Sequence, residues 1–320
     1  MKVPLHIYGI EDGLREFDKK LIKIVQSHGS DPAYTKMIAD LWFRISQKES
    51  EIYDNLSPYQ IVQLARHVNR PHAMDYIENI FSGFKEIHGD RQFRDDPAIV
   101  AGFARFEGGR VAVLGHEKGR KPLEIKRRNG GQSNPEGYWK GIRLMDMANR
   151  LGIPIVTFID TPGAYPGIEA EERNQAGAIA ESIRFMFELT VPVVAVVIGE
   201  GGSGGALAIG IGNRVLMLER AIYSVISPEG GAAILFRDGR KKDAFAREIK
   251  LTAREIYGFG KGIVDEVINE SGYAHRYWKD AFSNVKEAIS RNLQELLGMS
   301  SEKLLNNRYE KFRSMGIFEE

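Results

Sequence analysis

IPIVTFIDTPGAYPG (residues 153–167) and VPVVAVVIGEGGSGG (191–205) share one plan at an offset of 38 residues. In each, a proline leads a continuous apolar run, and the run ends in a glycine-bearing turn. A helical pattern follows. Apolar runs without alternation mark strands buried on both faces. Strands alternating with helices point to a parallel sheet covered on both sides. So short a period predicts an α/β superhelix of repeated strand–turn–helix units.

The neighbouring segments extend the pattern. Ala176, Ile179, Ile183 and Met186 form a helical stripe after the first copy, with Glu169, Glu171 and Glu172 near its N-terminus. RVLML (214–218) and AIYSVIS (221–227) read as strands, and SPEGGAAILF (227–236) opens another helix. Upstream, AIVAGFARF (98–106) and RVAVLGH (110–116) flank the turn Glu107–Gly108–Gly109. Pro135 and Gly152 bracket a helix over 135–151.

Both ends are helical. Leu14, Phe17, Leu21 and Ile24 recur at helical spacing, as do Ile38, Leu41, Ile45 and Ile52. Ser57 before Pro58 starts a helix running through Val68. Phe282, Val285, Ile289, Leu293 and Leu296 hold the period near the end, and the charged residues 300–320 form a docking helix or a frayed tail. The expected division is an N-terminal helical segment (1–80), an α/β core (81–270) and a C-terminal helical segment (271–320).

Composition narrows the chemistry. The chain has 320 residues, 43% of them hydrophobic and 27% charged, as in ordinary globular proteins. A net charge of +1 gives no bulk attraction for nucleic acid. There is no cysteine, which excludes thiol catalysis, disulfides and cysteine-based zinc sites within these residues. No stretch of 18 apolar residues and no signal-like apolar core occur, so the expected location is the cytoplasm.

Seven of the fourteen residues from 199 to 212 are glycine. Gly199-x-Gly201-x-x-Gly204 fits the dinucleotide fingerprint, with Glu219 placed like a ribose ligand. Only about ten residues then precede strand 214–218, too few for a normal crossover helix. Gly201-x-Ser203-x-Gly205 fits a nucleophile elbow, and Asp265 and His275 follow in hydrolase order. Those two lie close together in a polar segment, so Ser203 reads better as a small turn residue. Asp160–Gly163 fits a GTPase element, but no G-x-x-x-x-G-K-S/T accompanies it. An oxyanion hole is the remaining reading. Backbone amides after Gly204 would face a developing negative oxygen.

A longer pattern distinguishes these readings. HGDRQFRDDPAIVAGFARFEG, GHEKGR, PEGYWKGIRLM, TFIDTPGAYPG, EERNQAGAIA, VIGEGGSGGALAIG and YSVISPEG stand here in order. Together they resemble the α subunits of bacterial acetyl-CoA carboxylase carboxyltransferase over about residues 10 to 300. The resemblance implies a crotonase-like fold of repeated ββα units. It implies transfer of a carboxyl group from carboxybiotin, on a biotin carboxyl carrier protein, to acetyl-CoA, giving malonyl-CoA for fatty acid synthesis. It also implies a β subunit in an α2β2 heterotetramer, zinc on that subunit only, and a separate biotin carboxylase. No covalently bound cofactor is expected on this chain.

On that resemblance, the amides of Gly205 and Ala206 form the oxyanion hole for biotin, with Gly204 allowing close approach. Gly163 and Ala164 supply a second donor. Gly201, Gly202 and Ser203 contact the substrate, and Tyr165 and Pro166 shape the pocket wall. Lys118, Arg120, Lys126, Arg127 and Arg128 form a basic cluster. It reads as a solvated loop, or as a contact for CoA phosphates or the carrier through Lys118, Arg127 and Arg128. His116 reads as a structural residue, and Glu200 as turned away from the oxyanion. Gly130–Gly131–Gln132 departs from the family's usual Phe-Gly-Met, and Gly231 from its Cys or Ala. A non-catalytic CoA-binding subunit and, more weakly, a Rossmann-type oxidoreductase are the alternatives.

Overall fold

The computed structural model describes residues 9–29, 31–258, 262–270 and 273–316. Among these, the centre is one eight-stranded sheet. Strands β1 (Ser82–Glu86), β2 (Ile99–Phe106) and β3 (Gly109–His116) are antiparallel. From β3 the sheet continues in parallel through β4 (Ile155–Thr161), β5 (Val193–Gly202) and β6 (Arg214–Leu218). Strand β7 (Ile222–Ser224) pairs with the far end of β5, and β8 (Glu266–Ile268) closes the main sheet beside β6.

Every residue of β4 is buried, as is β5 up to Gly201. That matches their unbroken apolar runs. Glu107 (φ 48°) and Gly108 (φ 84°) both adopt positive φ between β2 and β3. Such a two-residue turn matches the twist of the strands it joins.

Strand β5 shapes the architecture. Its first half, Val194–Val197, pairs with Arg214–Met217 of β6. Its second half, Glu200–Gly202, pairs with Ile222–Ser224 of β7. Successive halves of one strand thus serve two strands of the next unit, which is the step of a ββα superhelix. The strand therefore runs on through Glu200–Gly201–Gly202, where the glycines read as a loop. Backbone pairing with β7, which needs no side chains, carries it there.

The helix Pro135–Arg150 starts on its proline as expected and packs on β2 and β3. Gln175–Glu188 carries the stripe after the first copy, capped by Asn174, whose side chain accepts from the Gly177 amide. Ser57 and Gln60 form a reciprocal capping box for Pro58–Ala65. That helix stops short of Val68. The chain turns there, bringing Arg66 to Glu200 and Glu229.

The N-terminal helices pack on the segment around Arg276. Helices Asp12–His28 and Thr35–Tyr53 form an antiparallel hairpin. Arg276 donates to Asp18 and Glu49, and His275 shares the Glu11 carboxylate with Tyr53. Residues 301–313 form a docked helix rather than a frayed tail. Its anchor, Arg308, is fully buried without a carboxylate partner among the described residues. The guanidinium donates to the carbonyls of Leu189 (2.7 Å) and Val191 (3.2 Å) and to Asn213 Oδ1 (2.6 Å). Burial pushes it down to about 10.

Candidate active site

The ends of β4 and β5 lie side by side, with Thr161 opposite Gly201. This brings the two glycine turns together backbone to backbone. A Cβ on Gly205 would lie 2.5 Å from the Ala164 nitrogen and 2.6 Å from the Gly163 carbonyl carbon. A Cβ on Gly202 would overlap the Pro162 carbonyl. Gly163 itself has φ 151°, open to glycine. The repeat seen in sequence is thus a contact in space.

The first turn is held from behind. Thr161 Oγ1 accepts from the Gly163 amide (3.1 Å). The Tyr165 amide donates to the Ser133 carbonyl (2.9 Å), and Gln175 Nε2 donates to the Ser133 and Tyr165 carbonyls. Between them, the Ala164 amide has no hydrogen-bond partner among the described residues.

The second turn passes through Ser203, at φ 52°, into the helix Ser203–Leu207. Among the described residues, no side chain caps this helix. Its register turns the Ala206 amide to the Gly202 carbonyl, because the N-cap carbonyl accepts the first intrahelical bond. The amides of Gly204 and Gly205 precede that bond and have no intrahelical acceptor. A Cβ on Gly204 would make only ordinary contact, 3.5 Å from Ile179. Protein packing therefore does not demand glycine there.

A cavity of about 550 Å³ opens on this second turn. Ser203, Gly204, Leu207, Tyr223, Val225 and Ile256 are among its lining residues. Val225 is 73% exposed. Tyr165 and Pro166 do not line this cavity, and the Tyr165 ring instead covers Gly167.

A charge network lies beneath the two turns. Lys118 Nζ is 2.7 Å from both Asp160 Oδ1 and Glu200 Oε2. Asp160 Oδ1 also accepts from the Glu200 amide (2.9 Å), in space left by the absent side chain of Gly199. Arg66 Nε donates to Glu200 Oε1 (2.6 Å), and its NH1 to Glu229 (2.8 Å). Burial would push the Glu200 carboxyl up, but Lys118 and Arg66 outweigh it and hold it below the usual value. Burial would likewise lower Lys118, and Asp160 and Glu200 reverse that.

The basic cluster divides. Lys118 turns inward. Arg120 donates to the carbonyls of Val68 and Arg70, pairs with Asp75, and lies 4.5 Å over the Trp278 ring. Arg128 donates to the Pro97 carbonyl (2.8 Å). Lys126 and Arg127 are exposed on a short helix, Pro122–Arg127, where a loop was expected. Arg127 borders a polar cleft with Arg94, Asp95, Asp96, Asn129 and Asn134.

His116 is fully buried, and neither ring nitrogen has a hydrogen-bond partner among the described residues. Burial, reinforced by Lys118, pushes it down to about 3, and the nearby Gly205 carbonyl offsets this only slightly. Below 6.5 the unfolded chain takes up this proton while the folded chain does not. His116 therefore costs stability as pH falls from 6.5 towards 3. Between pH 7 and pH 5, His116→Phe should gain about 2 kcal/mol relative to the parent. Urea unfolding at both values measures this, and a pH-independent difference would refute it.

Neither hydrolase partner reaches Ser203. Asp265 accepts from the Val215 amide and pairs with Lys311, and His275 is bound to Glu11. The short helix after Gly202 leaves the dinucleotide match without its unit. Gly131 (φ 85°) fits against Lys118 and the Asp160 carbonyl, and Gly231 lies on the Phe245 ring. Of the departures from the family pattern, Gly231 thus fills a tight place, whereas a Cβ on Gly130 would meet no atom within 4 Å and Gly131 keeps the family's own glycine. Arg66, Gln175 and Ser133 escaped the sequence reading, because isolated polar residues far apart in the chain carry no periodicity. No group of three or more His, Asp or Glu able to hold a metal occurs among the described residues. No described helix is long and apolar enough to cross a membrane.

The family described as acetyl co-enzyme A carboxylase carboxyltransferase-like matches residues 7–316. The acetyl-coenzyme A carboxylase carboxyl transferase subunit alpha of Syntrophotalea carbinolica is 49% identical over 311 residues, 97% of this chain and 98% of that protein. The Thermus thermophilus protein of the same name is 52% identical over 278 residues, 87% of this chain and 88% of its own. Among solved structures, transcarboxylase 12S aligns at TM-score 0.58 and 20% identity, covering 71% of this chain and 42% of the other. A Pseudomonas malonate decarboxylase hetero-tetramer aligns at TM-score 0.58 and 16% identity, covering 74% of this chain and 91% of that chain. These likenesses show a crotonase-like fold. With paired glycine turns at parallel strand ends and near-complete alignment to its relatives, the chain belongs to the acetyl-CoA carboxylase carboxyltransferase α-subunit family.

Proposed function

We propose that this chain forms the biotin-side half of a carboxyltransferase active site. The single observation that carries the proposal is the backbone contact between the turns at Gly163–Ala164 and Gly202–Gly205. It gathers uncommitted amides where no side chain intervenes.

The substrate pair is carboxybiotin on a carrier protein and acetyl-CoA. When the carboxyl group leaves the biotin ring nitrogen, negative charge develops on the ureido oxygen. The amides of Gly204 and Gly205 donate to that oxygen, with Ala164 as the second-turn donor. Ala206 serves by closing the helix. Ser203 and the apolar walls around Val225 hold the biotin ring, and Gly201 and Gly202 keep the approach clear. The carboxyl group forms its new bond to the methyl carbon of acetyl-CoA. The proton from that carbon passes to the biotin nitrogen, so no histidine base is needed.

A β subunit in an α2β2 heterotetramer, carrying zinc, supplies the hole for the thioester oxygen. Biotin carboxylase, on other chains, recharges the carrier. Arg127 faces a phosphate of CoA or an acidic patch of the carrier. The complex works in the cytoplasm.

Malonyl-CoA-dependent carboxylation of free biotin tests the proposal, measured for α, β and their mixture. Activity is expected only from the mixture. Turnover by α alone, or none by a purified α–β complex, would overturn it.

A further inference from the structure

Lys118 lies on the basic segment that sequence assigns to phosphate or carrier contact, yet its ammonium is committed to two buried carboxylates. It bridges Asp160 and Glu200, at 2.7 Å from each. Asp160 stands at the end of β4 and Glu200 in β5, one residue before Gly201. The two carboxylates therefore sit at the roots of the two glycine turns. Arg66 is the second cation, shared between Glu200 and the partly exposed Glu229. Tyr59 and Lys242 meet the network only at its outer edge, through Glu229 and each other.

Two carboxylates beneath an oxyanion site are unfavourable by themselves. Each would oppose negative charge developing above the turns, and within a protein such fields decay slowly. We propose that Lys118 is a positioning residue for carboxyl transfer, acting through charge. Together with Arg66 it cancels Asp160 and Glu200, so that the ground beneath the glycine turns is neutral. It also ties the two strand ends at one spacing. This rests on the carboxyltransferase reading of the turns. It replaces, for this one residue, the contact with substrate phosphate.

The two roles predict opposite kinetics. A phosphate contact made equally in ground and transition states raises KM when lost. A field felt by the developing oxyanion lowers kcat and leaves KM in place. It also makes a second prediction: removing the unmatched negative charge should restore the rate.

The test uses the purified α–β complex and the malonyl-CoA-dependent carboxylation of biotin. Lys118→Met should lower kcat by about 10- to 100-fold, with KM for malonyl-CoA within twofold of the parent. Lys118→Met combined with Glu200→Gln, again balanced in charge, should recover at least a third of the parental kcat. Lys118→Arg should do the same. A KM increase with kcat preserved, or no change at all, overturns the proposal. Because Lys118→Met leaves two buried carboxylates short of a cation, it can fail to fold. The balanced double variant then decides: a folded complex below a tenth of the parental kcat overturns the inference. A parental complex without activity would instead refute the carboxyltransferase reading itself.

Discussion

Gly205→Ala should lower carboxyl transfer by about 10²- to 10³-fold, the usual cost of losing one oxyanion donor. The added methyl has no cavity to enter. Its Cβ would meet the Ala164 nitrogen at 2.5 Å and the Gly163 carbonyl carbon at 2.6 Å, both backbone atoms. Backbone cannot rotate aside as a side chain can, so the two turns must part. Amide donors on both turns then lose their common target. Gly204→Ala is the matched control, because its Cβ has 3.5 Å of clearance to Ile179. That variant should fold and assemble normally, and any loss should arise from crowding the ligand. Steady-state kinetics and thermal melts of both α–β complexes check this. Parental turnover by Gly205→Ala would remove the turn from the mechanism. Gly205→Val carries the same argument further, at an added overpacking cost of about 1–3 kcal/mol.

The largest stability effect belongs to a different pair. Arg70 and Glu270 are both essentially buried, and Arg70 holds Glu270 through two donors. Arg70 Nε also donates to the Ile198 carbonyl in β5 (2.7 Å), and Glu270 accepts from the amides of Arg220 and Ala274. Removing one partner of such a pair strands a buried charge and costs about 3–5 kcal/mol. Glu270→Gln should therefore lower the midpoint of urea unfolding by that equivalent. Arg70→Met with Glu270→Leu should lose less, since neither charge remains. A loss below about 1 kcal/mol for Glu270→Gln would refute the assignment.

Acid titration gives the sign independently. Burial would push the Glu270 carboxyl up, but Arg70 outweighs it and holds it below 4.5. The group's contribution is thus fully present above about 4.5 and lost as pH falls through the lower folded value. Glu270→Gln should flatten the loss in that acid window. His116 acts over the higher window, so the two variants separate on one pH series.

What could be read from sequence followed periodicity. Strands β4 and β5 announced themselves because burial on both faces demands unbroken Val and Ile. The helix at Pro135 and the cap at Ser57 were legible because proline and serine have restricted uses at helix starts. Strand β1, SGFKE, is largely exposed and lacks an apolar signal. The run of β5 through Gly201 and Gly202 was hidden because glycine disfavours strands in isolation. Only pairing with β7 reveals it. Lys118 misled for a related reason. A charged residue in a basic stretch looks solvated until the two carboxylates, 42 and 82 residues later, fold against it.

Strand β5 has one more consequence, for the order of biosynthesis. Arg70 grips its carbonyl at Ile198, and Arg308 grips the segment just before it at Val191. The N-terminal hairpin waits for Arg276, a separation of 258 residues from Asp18. Contacts so distant form late, after long loops have closed. On the ribosome, the strand bearing Gly201 and Gly202 gains its last anchor only when Arg308 has emerged. A chain stopped short of that residue carries every amide of the glycine turns, yet leaves the strand that presents them half moored.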